Sequence, residues 1–236
     1  MAFIFLFMRN YIVLIFCLQI GILNAQSLTG IYVLKPISGV GDSSELNEYS
    51  KIPDFYLYSY SNNKSNLEKI SKGGTKIDTI KGTLKEYNFD YETIVTNIKP
   101  TKTSYYKNLE EKTFERVSVA NEKEIYVKDK LPALNWTITQ ETKTIEGYLC
   151  TKATAEKTIV GYPLKLVAWF CDKIPINDGP FEYIGLPGFI LEFGYQGLST
   201  ATFINLKYNP KENISIEPLK STTKPMTIEE FEKSLR

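Results

Sequence analysis

Short stretches in which apolar and polar residues alternate recur along most of the chain, and their period of two is that of strands. Leu28 to Lys35 is the first of these. In Asp54 to Tyr60, Phe55, Leu57 and Ser59 alternate with Tyr56, Tyr58 and Tyr60, so the two faces differ. Tyr91 to Ile98, Lys112 to Val119, Lys123 to Lys128 and Leu134 to Thr139 follow the same pattern. Thr142 to Ile159 and Tyr162 to Cys171 read as the arms of a hairpin turning at Val160-Gly161. Phe189 to Tyr195 and Thr200 to Tyr208 form a second pair, joined through Gln196-Gly197. Helical signals are few. Pro225 followed by Thr227-Ile228-Glu229-Glu230 is a capping-box pattern that opens a short C-terminal helix. Asn66 to Lys72 reads as a helical turn ended by Gly73-Gly74, and residues 36–53 and 61–85 read as polar loops. The pattern predicts a mainly β protein, an antiparallel meander or a curved half-barrel-like sheet, with few short helices including the C-terminal one.

The first 25 residues read differently. Arg9 is their only charge, and Tyr11 to Leu23 is apolar over the length of a signal-peptide core. Ala25 ends a small-residue cleavage site before Gln26. Met8-Arg9-Asn10 makes a more usual leader start than Met1. The apolar run is short for a span of about 20 residues, so the reading is a cleaved leader with no transmembrane anchor left behind. Residues 26–236 then form one β domain that is exported to the periplasm, the outer membrane or the medium.

The mature chain carries 27 basic and 27 acidic residues once Arg9 is removed. This balance offers nothing to nucleic acid. Among 236 residues there are 16 Tyr and no His. Without histidine, Ser-His-Asp and Cys-His catalysis and histidine-based zinc sites are excluded. No phosphate-binding loop, cofactor motif or metal-ligand cluster is present. Carboxylates remain as acid–base groups, and Asp172, Asp178, Glu182 and Glu192 lie close together in sequence. Turn chemistry accounts for Asp172 and Asp178, which flank Pro and Gly. Glu192 interrupts an apolar strand, either facing solvent or buried with a partner.

Cys150 and Cys171 are the two cysteines beyond the leader, and in an exported chain such a pair reads as a disulfide. A hairpin turning at Val160-Gly161 sets Cys150 opposite Cys171, Glu156 opposite Lys165 and Thr154 opposite Val167. The charge pair and the cysteine pair support one register.

The stretch from Asp178 to Phe189 is the most punctuated in the chain. Gly185, Pro187 and Gly188 shape its end, and Leu186-Pro187-Gly188-Phe189 fits a type II turn. Phe181, Tyr183, Leu186 and Phe189 are the candidate ligand-binding residues, if the loop walls an apolar pocket. The other reading makes the same rings a plug that closes one end of the sheet.

Several ordered segments resemble the GLPGLI family of secreted Bacteroidetes proteins. Asn135-Trp136-Thr137-Ile138 is similar to its W-x-I strand, and Ile145-Glu146-Gly147-Tyr148-Leu149-Cys150-Thr151-Lys152-Ala153 to its I-x-G-Y-x-C-x-K-A segment. Ala168-Trp169-Phe170, Ile174-Pro175-Ile176 and Asp178-Gly179-Pro180 resemble its A-W-[FY] and I-P-I-x-x-G-P run. Gly185-Leu186-Pro187-Gly188-Phe189-Ile190 departs from the name motif at Phe189, where the family has Leu. Cys171 stands where the family often has a small polar residue. The resemblance implies export and no established biochemical activity. The strand pattern also looks like the LolA-like half-barrel, a curved sheet that shelters lipid acyl chains.

Together these readings give a non-catalytic envelope module, without cofactor or metal, that binds an apolar small molecule or lipid. A structural module that contacts another envelope protein is the alternative, and a carboxylate-based hydrolase a third. The leader has a direct check: intact mass of the exported protein should begin at Gln26, and retention of Tyr11 to Leu23 would contradict it.

Overall fold

The structure is a computed structural model that describes residues 26–36, 52–84, 89–159, 161–209 and 211–234, with the side chains of 77–98 left aside. The leader and most of the loop expected over 36–53 lie outside the described residues.

Thirteen strands follow in order: β1 (Ser27–Pro36), β2 (Asp54–Ser61), β3 (Lys64–Lys69), β4 (Gly74–Leu84), β5 (Phe89–Lys99), β6 (Lys102–Asn108), β7 (Thr113–Ala120), β8 (Lys123–Lys130), β9 (Thr137–Ile145), β10 (Tyr148–Ile159), β11 (Tyr162–Cys171), β12 (Phe189–Tyr195) and β13 (Ser199–Asn209). One helix, α1 (Ile228–Lys233), closes the described chain. The mainly β, antiparallel expectation holds, with 59% of residues in strands.

Eleven strands form one sheet in the order β8-β7-β6-β3-β2-β1-β13-β12-β11-β10-β9, and β4 and β5 pair apart as a ribbon. This is two meanders joined along β1 and β13, and of the two forms expected, a meander or a curved half-barrel-like sheet, it takes the curved one. The junction forces curvature. The outermost strands, β8 and β9, are consecutive in sequence and are linked by residues 131–136 alone. Laid flat, eleven strands would be about 48 Å wide at roughly 4.8 Å per step. The link from Lys130 to Thr137 reaches at most about 25 Å. The sheet must therefore curl, though it stays unclosed.

Both edges are managed. Met226 runs along β8, where Lys128 N donates to Met226 O and Met226 N to Tyr126 O, each at 2.9 Å. β9 carries Thr, Gln, Glu and Lys and is largely exposed, a composition that discourages strand addition. The expected capping box is present. Glu230 N donates to Thr227 Oγ1 at 3.1 Å, and Thr227 N donates to Glu230 Oε2 at 2.8 Å.

Several local expectations change. Asn66 to Lys72 is not helical, because Ser65, Leu67 and Lys69 alternate inward on β3. The cue lay one step earlier. Asn62 and Asn63 both take positive φ, 49° and 58°, a two-residue hairpin turn that feeds β3 from β2. Residues 61–84 are consequently largely strand rather than loop. Thr142 to Ile159 is split by a turn at Glu146-Gly147, with φ of 50° and 80°. The β10–β11 register is the expected one, with Glu156 opposite Lys165 and Thr154 opposite Val167.

The turn before Phe189 is not type II. Gly188 N donates to Leu186 O at 2.8 Å, while Phe189 N donates to Ile174 O at 3.2 Å. Pro187 thus centres a tighter three-residue turn, and Gly188 has φ of 154°. A Cβ on Gly188 would lie 2.2 Å from Cys171 O. Gly188→Ala should cost about 1–3 kcal/mol or more, as overpacking does. Gly147→Ala is the control, with nothing within 4 Å of its added Cβ and only the left-handed penalty of about 1–2 kcal/mol. Urea melts of the two variants should differ in that order; equal losses would count against the close approach.

Candidate functional site

The curled sheet presents a concave face lined by Tyr32, Tyr56, Tyr58, Leu67, Tyr105 and Phe203, all buried. Nothing in the strands alone would cover these rings. The connection from β11 to β12, residues 172–188, does so. Its first half alternates without joining the sheet: Ile174, Ile176 and Asp178 are buried, while Pro175 and Asn177 are exposed. Two short turns produce this, with Ile176 N donating to Ile174 O at 2.7 Å and Asp178 N to Ile176 O at 2.9 Å. The loop then returns to the sheet, and Ile190 N donates to Asp178 O at 2.9 Å.

Asp178 is the anchor. Its carboxylate pairs with Lys107 of β6, and the two side chains are 0% and 2% exposed. Tyr58 Oη donates to the other carboxylate oxygen at 2.7 Å. Lys107 Nζ also donates to Gly179 O at 2.6 Å. Turn chemistry alone, the reading made from sequence, therefore misses the role of Asp178. Burial lowers the Lys107 pKa, and the attraction of Asp178 opposes that shift. Burial and the Asp178 charge both raise Tyr58, so this phenol stays protonated and donates. Tyr32 Oη donates to Ile190 O. Lys107 was absent from the sequence reading because β6 was not recognised, whereas Tyr32 and Tyr58 were placed on strands without a role. The available signal was the inward row Thr103, Tyr105, Lys107, in which a lysine occupies a core position.

The predicted loop residues converge here. Phe189 lies among Tyr32, Tyr58 and Phe203, with ring centroids 6.3, 5.2 and 5.1 Å away. Tyr183 stacks on Phe193 at 4.0 Å and shares a phenol hydrogen bond with Tyr195. Leu186 packs with Ala153, Ala155 and Ala168, whose small side chains on β10 and β11 leave depth for the loop. Phe181 is half-buried at φ of 55°, edge-on to Tyr56 and Tyr105 at 5.7 and 5.3 Å. Gly185 lies against the Trp136 indole, whose Nε1 donates to Ile184 O at 2.9 Å. Gly185 N donates to Asn177 Oδ1 at 2.9 Å.

The remaining acids are held apart. Asp172 is exposed. Glu182 faces Lys157 at 3.4 Å, and Glu232 of α1 faces the same lysine at 3.6 Å. Glu192 is a half-buried, partnered acid, 2.6 Å from Lys143 Nζ and accepting from Thr202 Oγ1 at 3.2 Å. Asp178, Glu182 and Glu192 each meet a different lysine, and Asp172, Asp178, Glu182 and Glu192 form no shared cleft pair. Among the described residues no group of His, Cys, Asp and Glu is placed to hold a metal.

The expected disulfide is not formed in the structure. Cys150 and Cys171 are buried free thiols, each next to the last pair of the hairpin register, Thr151 and Phe170. Cys150 Sγ turns to its own strand and donates to Tyr148 O at 3.4 Å. Burial pushes its thiol up to about 12, which suppresses the reactive thiolate.

An open, curled antiparallel sheet with a loop-filled concave face defines the class. Residues 156–192, which run from the end of β10 through β11 and the loop into β12, match the model of a Bacteroidetes-associated family described as a protein of unknown function, Porph_ging. This is consistent with the GLPGLI resemblance. No curated protein matches the chain. Two solved structures of PNGF-II, in C2 and P21 space groups, are 15% identical over 83% of this chain, with TM-scores of 0.47 and 0.46. The chain spans 29% of the length of those proteins. Among the described residues no helix is long and apolar enough to cross a membrane.

Lys107→Met leaves Asp178 buried without its partner and should cost about 3–5 kcal/mol. Lys152→Met, at the exposed pair with Glu141, should cost about 0–1 kcal/mol. Denaturant melts of both variants check the contrast.

Proposed function

We propose that this protein is a single-domain, non-catalytic module of the cell envelope, exported by its leader, that serves structure and protein–protein contact. In this reading the Asp178–Phe189 loop is part of the fold rather than the wall of an apolar ligand pocket. One observation carries it: Tyr183, Leu186 and Phe189 are 1%, 1% and 0% exposed. Three of the four residues put forward as ligand contacts therefore have no free surface. The filled concave face removes the opening that a lipid carrier of half-barrel type would need.

The convex face supports the contact role. Leu57, Ile31 and Ile204 stand in register across the adjacent strands β2, β1 and β13. Leu57 is 42% exposed and Phe55, two residues away, 38%. A cleft of about 460 Å³ opens beside them, lined by Ile31, Leu57, Leu206 and Lys207 among others. Apolar side chains at the centre of a sheet face, on an otherwise charged chain, suit a protein partner with its own apolar patch. The balanced net charge gives no reason to expect nucleic acid.

Phe189→Ala tests the plug. It should cost about 3–5 kcal/mol through the cavity it leaves, read from denaturant melts, and native mass spectrometry of the envelope-purified protein should show no retained apolar ligand. A variant of near wild-type stability that sheds a bound molecule would restore the pocket reading.

A further inference from the structure

Lys107 and Asp178 hold a primary amine and a carboxyl group in contact inside the core. They are separated by 71 residues and lie on different elements, β6 and the loop. Their neighbours are placed for chemistry as well as for pairing. Tyr58 Oη donates to Asp178 Oδ2 at 2.7 Å. Lys107 Nζ contacts Oδ1 and donates to Gly179 O at 2.6 Å. A nucleophile, an electrophilic carbon and a donor on one carboxyl oxygen are therefore assembled at one point.

Solvation decides whether such a pair remains ionic. In water, an ammonium and a carboxylate are held apart from condensation by the hydration of both ions. Burial removes that hydration, at a cost of several kcal/mol per ion. An amide bears no charge and avoids this cost. Burial also moves Lys107 toward its neutral, nucleophilic form. The two side chains are 2% and 0% exposed, so once the single water released has escaped to solvent, little water returns to reverse the step.

We propose that Lys107 and Asp178 are joined by an amide bond, an intramolecular isopeptide cross-link that fastens the loop to β6. Within the pair, one proton passes from the ammonium to Oδ1, giving amine and acid. The nitrogen lone pair then attacks Cγ. Oδ2 takes the developing negative charge, where the Tyr58 hydroxyl already donates. A second proton leaves nitrogen for Oδ1, the Cγ–Oδ1 bond breaks, and Oδ1 departs as water. Ammonium and carboxylate become amide and water, with no outside reagent. The proton left on nitrogen keeps Gly179 O as its acceptor.

This cross-link is independent of the proposed role of the convex face. Intact mass of the purified, folded wild-type protein tests it. The expected mass is lower than the sequence mass of the same chain by one water. A tryptic map should show a branched peptide that joins the Lys107 and Asp178 segments. Cyclisation of an N-terminal Gln26 releases ammonia instead, and the map locates it separately. Lys107→Arg and Asp178→Ala should each abolish the branched peptide and regain the lost water. A wild-type protein shown by circular dichroism to be folded, yet carrying both residues on separate unmodified peptides, would overturn the proposal. That result decides the question even if both variants fail to fold.

Discussion

The contact between Lys107 and Asp178 fixes the position of the β11–β12 connection, and much of the core depends on that position. A sheet curled tightly enough for residues 131–136 to link its edges has a concave face that the strands cannot cover. The loop covers it, but an irregular segment brings unpaired backbone groups into the interior. Asp178 resolves this at the point of deepest entry. Its side chain takes Lys107 and Tyr58, its carbonyl accepts from Ile190 N, and Gly179 O accepts from Lys107. Gly179 is required there because a Cβ would lie 2.8 Å from Ile190 Cβ. Phe181, Tyr183 and Phe189 lie in the stretch that this anchor holds against the sheet.

Much of the strand content was legible because solvent lies on one side of many strands and the core on the other. Asp54 to Tyr60 shows this, as does Tyr162 to Cys171. β6 was not legible. Thr103 through Asn108 are all buried, so polar Thr, Ser, Lys and Asn occupy interior positions and the alternation disappears. The reason is tertiary. Lys107 meets the loop on one face, while the stretch near Ile216 and Leu219 approaches the other side of these strands, where Leu219 N donates to Glu115 Oε2 at 3.2 Å. A lysine whose partner lies 71 residues away leaves no local trace. The pairing of β1 with β13 is equally non-local.

The candidate site was legible in its residues and misread in its use. Pro and Gly spacing identified a shaped loop, and the apolar residues within it were the right ones to single out. Whether such rings wall a pocket or fill one depends on what faces them, and here that is Tyr32, Tyr58, Phe193 and Phe203, drawn from four separate strands. The alanines at 153, 155 and 168 are the other half of the fit. On their own they read as small core residues, and their meaning appears only once Leu186 and Tyr183 are seen packed with them. The cysteine hairpin makes the same point on a smaller scale. The register followed from turn position and charge, whereas the direction of Cys150 Sγ toward Tyr148 O is a rotamer choice that spacing does not specify.

The tyrosine-rich composition now has a specific physical meaning. Half-buried strands favour tyrosine in general, but several of these phenols are fully inside. Phe would pack as well and bring no polar group to satisfy. Tyrosine is useful where a rigid ring must reach from a sheet to a polar group on an irregular segment. Tyr32 reaches Ile190 O, Tyr58 reaches Asp178, and Tyr183 reaches from the loop to Tyr195 on β12. Trp136 does the same for Ile184 O. Burial keeps the Tyr32 and Tyr58 hydroxyls protonated by raising their pKa values, so they remain donors to acceptors that would otherwise go unpaired. The aromatic lining thus supplies hydrophobic area and the hydrogen bonds that let a loop, rather than another layer of regular structure, form the second wall of the core.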